Sequence, residues 1–202
     1  MNYGEDNREY HTRAQHQLAM TLLRKTPRPH NIIDVGCGMG EFADSLEALG
    51  YSVSRIDGAD HCVAYNRKRH HCDCVDLESG ALPFADNVFD MAVSLDVIEH
   101  LWNTDHYLSE IQRVVKPFGH IILTTPNYNY IRYRLWGVIG RFEQFTYNSR
   151  HKKFFTVRSF KWVLEPRIKI IDAIGTLAGA IQLSSGLNLF AGQIGVLGKF
   201  KP

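Results

Sequence analysis

The ten residues Ile33-Asp34-Val35-Gly36-Cys37-Gly38-Met39-Gly40-Glu41-Phe42 carry the strongest chemical signal in the chain. They join a short apolar run to a stretch with helical spacing. Glycines in such a junction permit a tight turn and let a ligand approach the backbone. The spacing is G-x-G-x-G, one residue shorter than the dinucleotide-binding G-x-G-x-x-G, which disfavours a nicotinamide dehydrogenase. Asp57 lies 23 positions after Asp34, beside Gly58. A carboxylate there can accept both ribose hydroxyls of a nucleoside bound across strand ends. Alone, it would read as a turn residue that ends a strand. Asp76-Leu77 follows. The acid can accept a hydrogen bond from an adenine amino group while the Leu77 N–H donates to a ring nitrogen; the plainer reading is a solvent-facing acid at the start of a loop.

Two other clusters invite chemistry. His70-His71-Cys72-Asp73-Cys74, with His61-Cys62 upstream, suggests zinc. Its spacing fits no C-x2-C pair, however, and Cys-x-Cys suits one face of a strand, so no metal is expected. Tyr128-Asn129-Tyr130-Ile131-Arg132-Tyr133-Arg134-Leu135-Trp136 interleaves aromatics with arginine. It can stack bases, grip a planar ring or lie on a lipid headgroup plane. A helix that covers the core with its apolar face is the bland alternative. Arg67-Lys68-Arg69-His70-His71 reads as a solvated helix face.

These residues need elements to position them. Glu5 to Lys25 reads as a polar helix stopped before Pro27 and Pro29. Asn31 to Val35 is a buried strand. Met39 to Leu49 is a helix with Phe42, Leu46 and Leu49 on one face, ended at Gly50. Tyr51 to Ile56 is a second strand. Asp60 is the N-cap of a helix to Arg69. Cys72 to Val75, Phe89 to Leu95 and His120 to Thr125 are further strands. A helix capped by Asn103 or Thr104 runs to about Val115, and Gly119 supplies the turn into the last of these strands. Thr156 caps a helix to about Leu164. Arg167 to Ile174 and Gln193 to Phe200 read as two more strands. Strands alternating with helices predict a parallel sheet wound on both sides by right-handed crossovers.

Composition limits the function classes. The 202 residues suggest one domain, 1–202, with residues 1–30 as a helical cap. Apolar residues make up 45% and charged residues 22%, ordinary for a globular chain. Lys and Arg number 23 against 21 Asp and Glu, a balance that argues against a nucleic-acid partner. Four cysteines are too few for a disulfide scaffold, and Met1 to Arg13 has no apolar leader, so a reduced, cytoplasmic setting is expected. Ala173 to Gly198 carries no charge, but its six glycines and its polar side chains favour a hairpin over a membrane span. Peripheral membrane contact stays open, and oligomeric state is not legible.

The order of Ile33 to Gly40, Asp57, Asp76, Leu82-Pro83-Phe84, Phe89-Asp90 and Ser94-Leu95-Asp96-Val97-Ile98-Glu99-His100-Leu101 resembles class I S-adenosylmethionine-dependent methyltransferases. Within that family the chain looks most like small-molecule methyltransferases, including those acting on quinone precursors. Val114-Val115-Lys116-Pro117-Phe118-Gly119 resembles the family's L-K-P-G-G turn, with Phe118 in place of its first glycine. The resemblance implies an α/β, Rossmann-like, seven-stranded, mostly parallel sheet with helices on both faces and an antiparallel last strand.

It also implies roles for particular residues. S-adenosylmethionine would be the cofactor. Asp34 and the loop Gly36, Cys37, Gly38 and Gly40 would hold its methionine portion, Asp57 its ribose, and Asp76 with Leu77 its adenine. Asp96 would sit near the methionine amino group or the substrate mouth. His100 and His151 are candidates for a general base, needed where the nucleophile arrives protonated. Residues 126–155 would form a substrate lid. Its tyrosines, Trp136 and Phe142 would wall a small apolar or aromatic acceptor, and Arg132, Arg134 and Arg150 could hold an acidic group on it. Ser94-Leu95-Asp96-Val97 stands where amino-base methylators carry N-P-P-[YF], which disfavours RNA methylation. A non-catalytic S-adenosylmethionine-binding subunit is the rival reading.

Overall fold

The computed structural model describes residues 6–68, 70–140, 151–177, 181–184 and 187–202. Strands β1 (Asn31–Val35), β2 (Ser52–Asp57), β3 (Cys72–Cys74), β4 (Phe89–Leu95), β5 (Val115–Pro126), β6 (Ile168–Leu177), β7 (Ile181–Leu183) and β8 (Gln193–Phe200) form one sheet in the order β3-β2-β1-β4-β5-β8-β6-β7. The first five pair in parallel, and β8 enters antiparallel between β5 and β6. The expected Rossmann-like sheet with its antiparallel last strand is present. The short edge strand β7 is an addition; it pairs with β6 inside the uncharged stretch. No described helix is long and apolar enough to cross a membrane.

The described helices are α1 (Asp6–Leu23), α2 (Glu41–Ala48), α3 (Asp60–Asn66), α4 (Thr104–Val114), α5 (Ile131–Val138), α6 (Val157–Leu164) and α7 (Leu187–Phe190), with a single 3-10 turn at Ile98–His100. The central strands β1, β4 and β8 are buried on both faces, and period two sorts their side chains. Ile33, Ala92, Ile121 and Val196 face a core shared with α4 and α6, through Tyr107, Leu108, Ile111, Phe160 and Leu164. Their neighbours Ile32, Met91, Val93, Ile122 and Leu197 face Leu18 and Leu22 of α1 and Phe42 and Leu46 of α2. Each Leu, Ile, Val, Phe or Met among them contributes about 1.5–3 kcal/mol on burial. In α4, Tyr107, Leu108, Ile111 and Val114 form the buried stripe, and Asn103 Oδ1 caps the helix by accepting from the His106 N–H at 3.2 Å.

Two turn assignments change. The residue ahead of α3 is Ala59, and Asp60 is an acid of the first helical turn rather than the cap. At the start of β5 the left-handed residue is Phe118 (φ 61°), not Gly119. Gly119 is needed for space: a Cβ there would lie 2.5 Å from Val115 and 2.8–2.9 Å from two carbonyl oxygens. Glycine thus answers crowding at one position and leaves the unfavourable φ to its neighbour.

Strand order reverses between β1 and β4, whose outgoing connections run to opposite sides. Ligands of such sheets bind outside the carboxyl ends of the strands at that switch point.

Candidate functional site

The loop from β1 to α2 takes positive φ at Gly36 (79°), Gly38 (54°) and Gly40 (82°). These three angles explain the glycines locally, but their surroundings differ. A Cβ at Gly36 would lie 2.3 Å from Val97, and one at Gly40 would lie 2.2 Å from Asn66 Oδ1. Gly38 has nothing within 4 Å of that position, so its backbone faces open space. The loop is fastened from below. The Gly36 and Cys37 N–H groups donate to the Ile56 carbonyl, and Asn66 Nδ2 donates to the Gly38 carbonyl at 2.8 Å.

Asp57, at the end of β2, clasps this loop. Its Oδ2 accepts from the Gly38 N–H and its Oδ1 from the Ala59 N–H, both at 2.8 Å. Each oxygen keeps a second lone pair for a hydroxyl donor. Asp76 is exposed and shapes its own turn: it accepts from the Glu78 N–H at 3.0 Å and from Ser79 Oγ at 2.6 Å. Leu77 beside it is buried. The sequence had set adenine recognition against a plain loop acid at Asp76, and the side chain's observed bonds are those of a turn cap.

Asp34 and Asp96 lie deeper. Asp34 is 2% exposed; burial pushes its carboxyl up to about 7 against the pull of Arg55, with Asp57 adding repulsion. Asp96 is half-buried at φ 53° just past β4, where Oδ1 accepts from Thr124 Oγ1 and Oδ2 from Gln193 Nε2, each at 2.8 Å. Burial outweighs those bonds and raises its carboxyl to about 6. Gln15 of α1, with its amide nitrogen turned inward, also reaches Asp96. Among the described residues, Asp34 Oδ2, Glu99 Oε1 and Gln193 Oε1 are buried acceptors without a hydrogen-bond partner. An orphaned buried polar group costs about 1–3 kcal/mol. The acceptors of Asp34 and Gln193, at the carboxyl end of the parallel strands, suit a ligand rich in donors. A cofactor carrying an ammonium group and a ribose diol meets that requirement.

His100 and His151, 51 positions apart in the chain, come together. Their rings meet edge to face with centroids 4.6 Å apart. The Tyr128 hydroxyl bonds His151 Nδ1, and its ring packs edge-on to Phe154 and stacks on Tyr133. Glu99 is fully buried beneath them, and one polar atom each of Glu99, His100 and His151 lies within 4.8 Å of the others. Burial first, and the Asp96 charge second, push the Glu99 carboxyl well above the usual range. The Glu99 carbonyl accepts from the Lys152 and Lys153 N–H groups at 2.8 and 3.0 Å, which seats the His151 segment.

Other expected residues fall elsewhere. Helix α5 buries none of its residues, so it is not a covering helix with an apolar face in the core. Arg132 lies over the Trp136 ring at 4.4 Å and Arg134 bonds Asn129 Oδ1, so both arginines have partners within their own segment. Phe142, Arg150 and Arg69 lie outside the described residues. The His70 to Cys74 run does not gather as one group. Cys72 Sγ sits 3.8 Å from Cys37, Cys74 Sγ contacts Asp60, and His70 joins Asp44 and Glu47 around the buried Arg55 guanidinium. Glu99, Gln193, Thr124 and Gln15 were not singled out as site residues. Glu99 had a signal, since it stands beside His100; the others reach the site only through tertiary packing.

A family model described as a methyltransferase domain matches residues 6–167. The chain belongs to this methyltransferase family. Among curated relatives, a probable S-adenosylmethionine-dependent methyltransferase of Mycobacterium tuberculosis is 29% identical over 114 residues, covering 56% of this chain and 42% of the relative. A malonyl-[acyl-carrier protein] O-methyltransferase of Erwinia pyrifoliae is 33% identical over 131 residues, covering 61% and 49%. A mitochondrial ubiquinone biosynthesis O-methyltransferase of Dictyostelium discoideum is 33% identical over 119 residues, covering 51% and 37%. The matched part of this methyltransferase thus spans under half the length of each. A solved methyltransferase of Thermotoga maritima, a possible histamine N-methyltransferase, superposes with a TM-score of 0.74 at 17% identity over 95% of this chain and 92% of that one. At that identity the likeness concerns the fold.

Proposed function

We propose that this methyltransferase transfers a methyl group from S-adenosylmethionine to a hydroxyl oxygen of a small, largely apolar or aromatic acceptor. The observation that carries the reading is the His100–His151–Tyr128 cluster standing over the same strand ends as the glycine loop and its acids. The relatives' names support the cofactor and transfer to oxygen, since they include S-adenosylmethionine-dependent enzymes and O-methyltransferases.

When bound, the cofactor supplies a methyl group on a positively charged sulfur that leaves as a neutral thioether. The chain's residues do the rest. Asp57 accepts from the ribose hydroxyls, and the Asp76–Leu77 turn lies beside the adenine. The orphaned acceptors of Asp34 and Gln193, with Asp96, receive the amino group. Holding the two reactants in line can lower the barrier by roughly 7–11 kcal/mol. His100 or His151 takes the hydroxyl proton as the carbon–oxygen bond forms, a role worth about 10²–10⁴-fold in rate. Tyr128, bonded to His151 Nδ1, fixes that ring's orientation. The described residues 126–140 and 151–155, with Tyr128, Tyr130, Tyr133 and Trp136, would line the acceptor side. All four thiols are free, which suits a reducing compartment such as the cytoplasm.

The test is methyl transfer from labelled cofactor to a panel of small phenols and hydroxy acids. Transfer to such an acceptor supports the reading. Salt-sensitive methylation of RNA, with the phenols ignored, would replace the acceptor class.

A further inference from the structure

One carboxylate outside the cofactor and base residues ties their two regions together. Glu78 sits in the turn Asp76–Gly80, which is rigidly made. Asp76 accepts from the Glu78 N–H and from Ser79 Oγ, and its carbonyl accepts from the Gly80 N–H at 2.7 Å. A Cβ on Gly80 would lie 2.7 Å from that same carbonyl oxygen, so the turn closes too tightly for any side chain there. The position of Glu78 is therefore fixed by the residue expected at the adenine.

From that turn the Glu78 carboxylate reaches two other segments. It accepts from the Trp102 N–H at 2.9 Å and the Asn103 N–H at 2.8 Å, just after His100. It also bonds Lys152 Nζ, next to His151. The same lysine lies 5.9 Å from the Trp102 ring centroid, and its N–H donates to the Glu99 carbonyl. Lys153 adds a bond to Thr104 Oγ1 at 3.0 Å. Desolvation opposes ionisation of Glu78, yet the bonds from Lys152, Asn103 and Trp102 outweigh it and hold its carboxyl down at about 2. The ion pair is three-quarters buried on the glutamate side, so it is less screened than a surface pair.

We propose that Glu78 is a positioning residue: through Lys152 and the Trp102–Asn103 backbone it fastens the segments bearing His100 and His151 to the turn beside the adenine, so that cofactor binding sets the base pair in place. This rests on the reading of the strand ends as a cofactor site. By linkage, ordering the Asp76–Gly80 turn orders residues 151–155, and the acceptor side is least mobile when cofactor is bound.

Hydrogen exchange read by mass spectrometry tests it, with S-adenosylhomocysteine as the probe, in the wild type, E78Q and K152M. Glu78→Gln turns an amide N–H toward donors, whereas Lys152→Met leaves the Glu78 bonds to Trp102 and Asn103 in place, so the second variant guards against a folding defect in the first. In the wild type the probe slows exchange in peptides covering residues 76–80 and 151–155, by about five-fold or more in the second. In K152M the first protection stays and the second falls below about two-fold. In steady state, both variants lose kcat while the cofactor KM holds, and the double variant is no slower than the worse single one. Protection of 151–155 that survives in K152M and E78Q overturns the role of Glu78 and leaves the cofactor site standing. A probe that protects neither peptide in the wild type removes the cofactor site, and this inference with it.

Discussion

The two halves of the proposed site are built differently. Most of the proposed cofactor half, from Asp34 to Gly80, is held through its main-chain N–H groups: Gly36 and Cys37 donate to the Ile56 carbonyl, Gly38 and Ala59 to the Asp57 carboxylate, and Glu78 to the Asp76 carboxylate. The proposed acceptor half is made of side chains from distant segments, with His100 after β4, Tyr128 after β5 and His151 before α6. The first construction fixes a shape within about 50 residues of chain. The second depends on the sheet having folded. A backbone cradle suits a cofactor common to many enzymes, whereas an assembly of side chains can be changed to suit one acceptor.

Breaking the halves separately should give different signatures. The largest effect belongs to the acceptor half. Replacing the working base, His100 or His151, by Gln should lower kcat about 10²–10⁴-fold and leave cofactor affinity nearly unchanged, in a single-turnover assay on an identified hydroxyl acceptor. If neither variant slows transfer, the base is misassigned. Next comes Gly36→Ala. It forces a side chain to φ 79° and into Val97 at 2.3 Å, and should cost about 2–4 kcal/mol of stability in urea melts and weaken cofactor binding.

A pH experiment sharpens the contrast. Asp34 has its folded pKa raised to about 7 from 3.8. A raised acid favours the folded state below its unfolded pKa, and that contribution is lost as pH rises towards 7. In the cofactor-free protein, Asp34→Asn should therefore raise the melting temperature more at pH 8 than at pH 5. An equal shift at both values would mean that Asp34 is not buried as an acid. The smallest effect lies outside both halves. Phe118→Gly relieves the left-handed residue at the start of β5 and should stabilise by about 0.5–1 kcal/mol, with some loss from the Lys199 contact to the ring at 5.5 Å.

The same division explains what could be read from the sequence. Gly36, Gly38 and Gly40 were legible because positive φ demands glycine within a few residues of a strand end. The strands were legible because burial on both faces leaves apolar runs such as Ile121 to Leu123. The pairing of His100 with His151 was not, since their meeting depends on Glu99 O holding Lys152 and Lys153, a contact across 53 and 54 positions. Gln193 lies in an uncharged stretch with no local signal, and it reaches Asp96 only because β8 inserts beside β5. Edge strand β7 is three residues long, too short for alternation to show. Gly119 misled because the sequence records that glycine is needed but not whether for φ or for room.

The central claim is that the ends of β1 to β3 form an S-adenosylmethionine site closed by Asp57. The most direct test is calorimetric titration of S-adenosylhomocysteine into the wild type and Asp57→Ala. Saturable one-to-one binding by the wild type is expected. Asp57→Ala should weaken it by more than about 1 kcal/mol, roughly five- to ten-fold, because charge-assisted bonds to the ribose are lost together with the clasp on Gly38. Equal affinity in the two proteins, or no binding by the wild type, would contradict the account.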